Sequence, residues 1–478
     1  MLDEDVVIRD FRNSNERFLI LNVLLMIGLP ALFFGGNSPF VIGLFCALGI
    51  LAPINTFNYI YSWSPSLAAP ISKYAMAILP FVAGIAITCL SWANPIFHSY
   101  EGASGLLFIM DTAPKSSPVM ASDNLLSPLL DDFTVLAAVM CALSIYFITN
   151  SRFVIRKVLC FSSYMAVAFL VLGLAIGFVC SLGVVGEREP TSAFATFTDA
   201  SDWASYATIW AGAAFAMAVY SEQRFRLLPI AYSVRFHSLL AAFLLWGSAL
   251  YSGKPLQCLI SSAIGFFALA VLAVDIVPLK FNASRHEALR YISSHSRRLK
   301  KMVLPFAVYA ILSVCAFILT LFYAQKILAD TRLVYAAPDG SGSITYAEKM
   351  ALFDDAKKMI GDHKLFGCGS SSFAAAFSFY QGSDIGSAAW PNAGSDLLQK
   401  LAENGVVGLI LSSITFVGFL LVWIFRFSYS ASGLVMMSTI AGILILAVFE
   451  TPFESPAVMV SFWVLAMSAF RWDSSRIG

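Results

Sequence analysis

From residue 18 onward, apolar runs of about twenty residues alternate with short polar breaks, and one polar stretch, residues 326–403, is far longer than the rest. A helix that crosses a bilayer needs about 20 mostly apolar residues. Twelve segments meet or approach that length: 18–34, 39–61, 74–93, 133–149, 158–183, 203–220, 232–250, 256–278, 303–325, 405–425, 433–449 and 455–470. The pattern predicts an all-α polytopic membrane protein, with about 12 transmembrane helices and a long outer loop containing short helices. An N-terminal bundle of about nine helices occupies 1–325, the loop 326–404, and the remaining helices 405–478. The first apolar run lacks a cleavage-site pattern and follows the charged stretch 3–17, so it reads as a retained helix rather than a signal peptide.

Composition agrees, because 59% hydrophobic residues, 12% charged residues and a mean hydropathy of +0.77 lie far outside the range of a soluble domain. Charge then orients the bundle, since Lys and Arg in short loops stay on the cytoplasmic side. With both termini inside, the inner segments collect twenty of the 30 basic residues, while the short outer loops hold only Lys115, Arg188 and Lys254. The basic inner loop 280–301 reads as a topology anchor, or as a contact for anionic lipid headgroups. A net charge of +1 gives no reason to expect nucleic acid. Seven of the 8 cysteines fall in predicted spans, which leaves Cys368 alone outside, without a disulfide partner. The chain has no Cys-x-x-Cys, His-Glu-x-x-His, Walker loop or dinucleotide fingerprint, so no metal and no cofactor is expected.

The outer segments carry the candidate chemistry. The loop 94–132 is rich in Ser, Pro, Gly and Asp and reads as a cover or a linker. The loop 186–202 leads into Trp203, and its Ser201 and Asp202 read either as N-caps of the next helix or as substrate contacts. Within the long loop, Ala347, Met350, Phe353, Ala356 and Ile360 recur with a helical period, which predicts an amphipathic helix over 345–360. That helix packs on the bundle or lies on the outer membrane face. After it, Gly367 and Gly369 flank Cys368 and permit a tight turn whose backbone N–H groups could face an anion.

The order Asp362-His363-Lys364-Leu365-Phe366-Gly367-Cys368-Gly369, then Phe373, then Asp396-Leu397-Leu398-Gln399, then Leu401-Ala402-Glu403-Asn404-Gly405, resembles the O-antigen ligase and O-antigen polymerase family of bacterial membrane glycosyltransferases. The resemblance is strongest over 345–425, weaker over 186–275, and elsewhere rests on the number and orientation of spans. It implies a multi-pass protein of the bacterial inner (cytoplasmic) membrane that works on the periplasmic side, without a metal. The implied donor is a glycan carried on undecaprenyl pyrophosphate, passed to an acceptor hydroxyl; the other implied partners are membrane lipids and polysaccharide-assembly proteins. A leaving pyrophosphate gains charge as its bond to the sugar breaks, and nearby cations stabilise that charge. Arg188 matches the family's first outer arginine, a forked donor suited to phosphate. Lys254, in Ser252-Gly253-Lys254-Pro255, stands where the family has a Ser-Arg-Gly step and offers charge without the fork.

The main departure concerns the base. The family places His-Asn before the Asp of Asp-x-Leu-Gln, and this chain has Gly394-Ser395 there. Asp396, Glu403 and His363 are the nearby alternatives, of which Asp396 keeps the family position and is the first choice, although an N-cap role fits it equally. Arg188 and Asp396 are thus the catalytic candidates. Lys254, His363, Gly367, Gly369, Glu403 and Glu450 are the substrate-binding ones, with Glu450 and Glu454 contacting sugar hydroxyls or solvating a tight turn. The missing imidazole favours a polymerase of lipid-linked repeat units over a ligase that attaches glycan to a lipid or protein acceptor. A transporter or flippase of lipid-linked sugars is the alternative from another class. It is disfavoured by the scarcity of charges within the spans, Asp275 being an exception near an inner end, and by the absence of an internal repeat.

Overall fold

The computed structural model describes residues 2–61 apart from 34 and 37, 68–111 apart from 92, 103 and 104, then 119–122, 126–148, 152–181, 194–220, 234–276, 335–336, 343–344, 346–385, 390–425 and 430–474. The expectations for Arg188, for the loop 280–301 and for the segment 303–325 lie outside these residues. The described helices are α1 (Leu2–Leu32), α2 (Pro39–Tyr61), α3 (Ala68–Ser91), α4 (Leu126–Ile148), α5 (Arg152–Ser181), α6 (Ala200–Val219), α7 (Val234–Ser252), α8 (Pro255–Ile276), α9 (Tyr346–Asp362), α10 (Phe373–Phe377), α11 (Asp396–Phe425), α12 (Ala431–Phe449) and α13 (Pro456–Ser474). Among the described residues, eight helices (α2 to α5, α7, α8, α11 and α12) are long and apolar enough to cross a membrane. The chain is a mostly helical, multi-pass membrane protein.

Helices α1, α6 and α13 belong to the same bundle but differ in composition, and α6 shows why. Every residue of α6 from Trp203 to Val219 is buried, so no side of it has to match lipid. It is built largely from alanine, with hydroxyls and indoles that bond to the surrounding helices. Trp210 Nε1 donates to Ser461 Oγ of α13 (3.1 Å), Trp203 Nε1 to Ser248 Oγ of α7 (3.2 Å), and Thr208 Oγ1 lies 2.6 Å from Ser261 Oγ of α8. Such bonds hold helices together where lipid supplies no hydrophobic contrast between them.

One face of the bundle gathers the C-terminal ends of α3, α7 and α12 with the N-terminal ends of α4, α6, α8, α11 and α13. There Thr88 Oγ1 donates to Asp132 Oδ2 (2.6 Å), Ser455 Oγ to the Gly35 carbonyl (3.2 Å) and Asp396 N–H to the Glu450 carbonyl (3.0 Å). Above this loop face lies a second layer, which adds a few strands to the otherwise helical fold. The loop 94–132 contains strands β1 (Pro95–Gly102), β2 (Gly105–Met110) and β3 (Ala121–Ser122), in the order β2-β1-β3; β4 (Tyr335–Ala336) pairs with β5 (Ser343–Ile344) in the long loop. Phe97 of β1 enters a compact core with Leu352, Met359, Cys368, Phe373, Phe377 and Trp390, so the 94–132 loop is a built cover for the long one.

The cover is tied to the bundle through a break in α11. At Gly405 the backbone takes φ 64° and ψ −168°, a conformation open essentially to glycine alone. The carbonyls and N–H groups that lose their helical partners there pair with the turn after α9. Cys368 N–H donates to the Ala402 carbonyl (2.9 Å), Gly369 N–H to Glu403 (2.8 Å), Val406 N–H to Lys364 (2.9 Å) and Val407 N–H to Leu365 (3.1 Å). The strands of chain lie so close that a Cβ on Gly367 would stand 2.3 Å from the Glu403 carbonyl carbon. Gly405→Ala is expected to lower the melting temperature of the detergent-solubilised protein, by a loss of about 1–3 kcal/mol or more. Gly361→Ala, in a helix with open space at its Cβ, is expected to be neutral or slightly stabilising in the same measurement.

Candidate functional site

Three remote parts of the chain bring charge to one point on the loop face. Glu450 ends α12, its N–H bonded to the Leu446 carbonyl (2.8 Å). Its carboxylate lies between two ammonium groups: Lys349 Nζ of α9 stands 3.1 Å from Oε1, and Lys254 Nζ, from the α7–α8 turn, 3.6 Å from Oε2. The side chain of Lys349 is 4% exposed and that of Glu450 8%, whereas Lys254 is 30% exposed and forms the open side of the group. Lys349 also lies 5.6 Å from the centre of the Phe353 ring, a favourable place for a cation.

Each member is held by its neighbours. Gln257 fixes the Lys254 turn, accepting from Lys254 N–H (2.9 Å) and donating to the Ser201 carbonyl (3.0 Å) at the start of α6. Asp199, rather than Ser201 or Asp202, caps α6 by accepting from Ser201 N–H (2.8 Å). That leaves Asp202 in the first helical turn facing the cluster. Ser395 likewise takes the cap expected of Asp396, accepting from Leu398 N–H (3.3 Å) while its hydroxyl donates to the Val448 carbonyl (2.7 Å). The Asp396 carboxylate accepts from Phe453 N–H (2.9 Å) and thereby holds the Pro452–Glu454 turn against α11. Glu454 braces the same turn by accepting from Asn392 Nδ2 (3.0 Å).

Lys254, Asp396 and Glu450 therefore come together, and the other expected site residues among the described ones, Glu403, His363, Gly367 and Gly369, do not join them. Glu403 lies two helical turns further along α11, about 10 Å at 1.5 Å per residue. There its carboxylate accepts from Gln399 Nε2 (2.6 Å) and Phe373 N–H (3.4 Å). His363 ends α9, with Nε2 3.3 Å from Tyr380 Oη, a neighbour of the cover rather than of the charged group. The turn at Gly367 and Gly369 was expected to turn N–H groups toward an anion; instead the N–H groups of Gly367, Cys368 and Gly369 donate to the carbonyls of His363, Ala402 and Glu403. Among the described residues no group of three or more His, Cys, Asp or Glu is arranged to hold a metal ion.

Sequence reading missed Lys349. The apolar stripe expected along α9 keeps Phe353 and Ala356 on its buried face, and Leu352 and Met359 are buried there where Met350 and Ile360 are only half-buried. Lys349 precedes Leu352 and Phe353 by three and four residues and so sits on the buried face. A charged residue at that spacing was the available signal.

Burial and sign of charge set the protonation of the group. Burial pushes the Asp202 carboxyl well above the ordinary carboxylate range, assisted by repulsion from Asp199 and Glu454 and opposed by Lys254. Burial pulls Lys349 down, and the pairing with Glu450 works against that shift. Burial also lowers His363, against the pull of Asp362. Because the folded state raises the pKa of Asp202, its contribution to stability is present below the unfolded value and is lost as pH rises through the folded one. Asp202→Asn is therefore expected to raise the melting temperature relative to wild type at about pH 8, with the difference vanishing near pH 4. An equal effect at both pH values would contradict this assignment.

No protein-family model matches the chain, and no curated protein matches it closely enough to count as a relative.

Proposed function

We propose that the chain is a glycosyltransferase that polymerises undecaprenyl-pyrophosphate-linked repeat units at the periplasmic face of the bacterial inner membrane. The observation that carries this reading is the convergence of Lys254, Asp396 and Glu450, from distant parts of the chain, at the loop face beneath the cover. In this reading the chain crosses the membrane twelve times, with 303–325 as the ninth span, both termini in the cytoplasm and the loop face in the periplasm. A prenyl chain would lie along the apolar helices while its diphosphate meets the exposed edge of the cluster, where Lys254 stands and which Arg188 would join. The charge that develops on the departing diphosphate is then met by fixed cations in a partly desolvated place. The acids beside Lys254 lie where an acceptor hydroxyl would lose its proton.

The missing imidazole also acquires a physical setting. Gly394 adopts φ +66°, and a Cβ built there would stand 3.8 Å from Lys349 Cε. The position at which the resembled pattern carries histidine is thus bordered by Leu352, Phe353 and the stem of Lys349, with no base beside it among these neighbours, and a nearby carboxylate is left to take the proton.

The test is incubation of the purified protein with lipid-linked repeat units from its host's membranes. Lengthened glycan is expected, with Lys254→Ala slower by about 10²-fold at unchanged melting temperature. A wild-type protein that lengthens nothing would remove the reading.

A further inference from the structure

Glu450 is held unequally. Oε1 makes a hydrogen bond of 3.1 Å with Lys349 on the buried side, whereas Oε2 lies 3.6 Å from Lys254, beyond ordinary hydrogen-bond length, on the exposed side. The strong contact orients the carboxylate and the weak one faces the direction from which a ligand arrives. A phosphate group carries more charge than a carboxylate and competes well for the exposed lysine.

From this asymmetry, and resting on the function proposed above, we infer that Glu450 is the catalytic base and that donor binding uncovers it. The donor's diphosphate takes Lys254 away from Oε2, while Lys349 keeps Oε1 and fixes the carboxylate in place. Oε2, relieved of one counter-charge, then accepts the proton of the acceptor hydroxyl. The acceptor oxygen forms its bond to the anomeric carbon as the bond from that carbon to the diphosphate oxygen breaks. The bonding pair leaves with the prenyl diphosphate, and the proton ends on Glu450. No other reactant is needed. Lys254 thus binds the anion, Lys349 is a positioning residue, and Asp396 holds the Pro452–Glu454 turn through Phe453 N–H without taking the proton. The arrangement links the base to the donor, so the acceptor is activated only when a donor is present to supply the glycan.

The experiment uses the full-length protein in lipid nanodiscs, with inorganic pyrophosphate as the binding probe and lipid-linked repeat units as the substrate. Glu450→Gln removes one negative charge beside Lys254, so pyrophosphate is expected to bind about tenfold more tightly, a change of about 1.4 kcal/mol. The same variant is expected to lose about 10²-fold or more in kcat without a rise in KM. Lys349→Met is expected to lower kcat, with Lys349→Arg recovering part of it at a melting temperature close to wild type; a purely structural lysine would move stability and rate together. Lys254→Ala, at the exposed position, serves as the second variant and is expected to weaken pyrophosphate binding by about tenfold without unfolding the protein. Weaker or unchanged pyrophosphate binding in Glu450→Gln overturns the exchange at Lys254. Lengthening by Glu450→Gln at the wild-type rate overturns the base assignment alone and leaves the function standing. A wild-type chain that lengthens nothing removes the function and the base together, whereas the pyrophosphate measurement still decides the exchange.

Discussion

The cover reaches the bundle through main-chain hydrogen bonds across a broken helix, and the rest of the outer architecture follows from that constraint. A helix entering a membrane must keep its peptide groups paired, and a break normally leaves several of them without partners. Here the turn at 364–369 fills the gap with reciprocal bonds, and the glycine conformation at Gly405 makes room for it. Those bonds fix where α9 ends. The position of α9 in turn fixes Lys349 against Glu450, so a backbone feature about two helical turns away from the charged group sets the spacing of its charges.

How much of this could be read in the sequence depended on what each segment faces. Helices that face lipid are apolar along most of their length, and the runs behind α2, α3, α4 and α5 stand out in the sequence for that reason. Helix α6 faces only protein, so its Ala, Ser, Thr and Trp content fits an interior helix and gives a weaker membrane signal. The 94–132 loop was opaque because its strands draw their core from residues more than two hundred positions away. Phe97 meets Phe373 and Phe377 only after the chain has folded.

The charged group was half legible. Lys254 and Asp396 could be singled out one by one from the motifs they resemble, and Glu450 from its place just beyond a long apolar run. Their meeting is a matter of tertiary contact and left no local trace. Lys349 failed for the opposite reason: it lies among Glu348, Asp354, Lys357 and Lys358, and a lysine among charges looks like a solvated face. The paired glycines at 367 and 369 were recognised as special, but for the wrong partner, since composition cannot say whether a free N–H points at a ligand or at another stretch of main chain.

Cys368 sits at the centre of the cover's core, fully enclosed, next to the main-chain bonds that fasten the cover to α11. The other described cysteines all lie in bundle helices, so this sulfur is the sole described thiol of the outer layer. A water-soluble alkylating reagent can reach it only when the cover lifts or its core loosens. The rate at which that one sulfur becomes labelled is thus a built-in clock for the opening of the outer layer, and it can be read without altering a single residue.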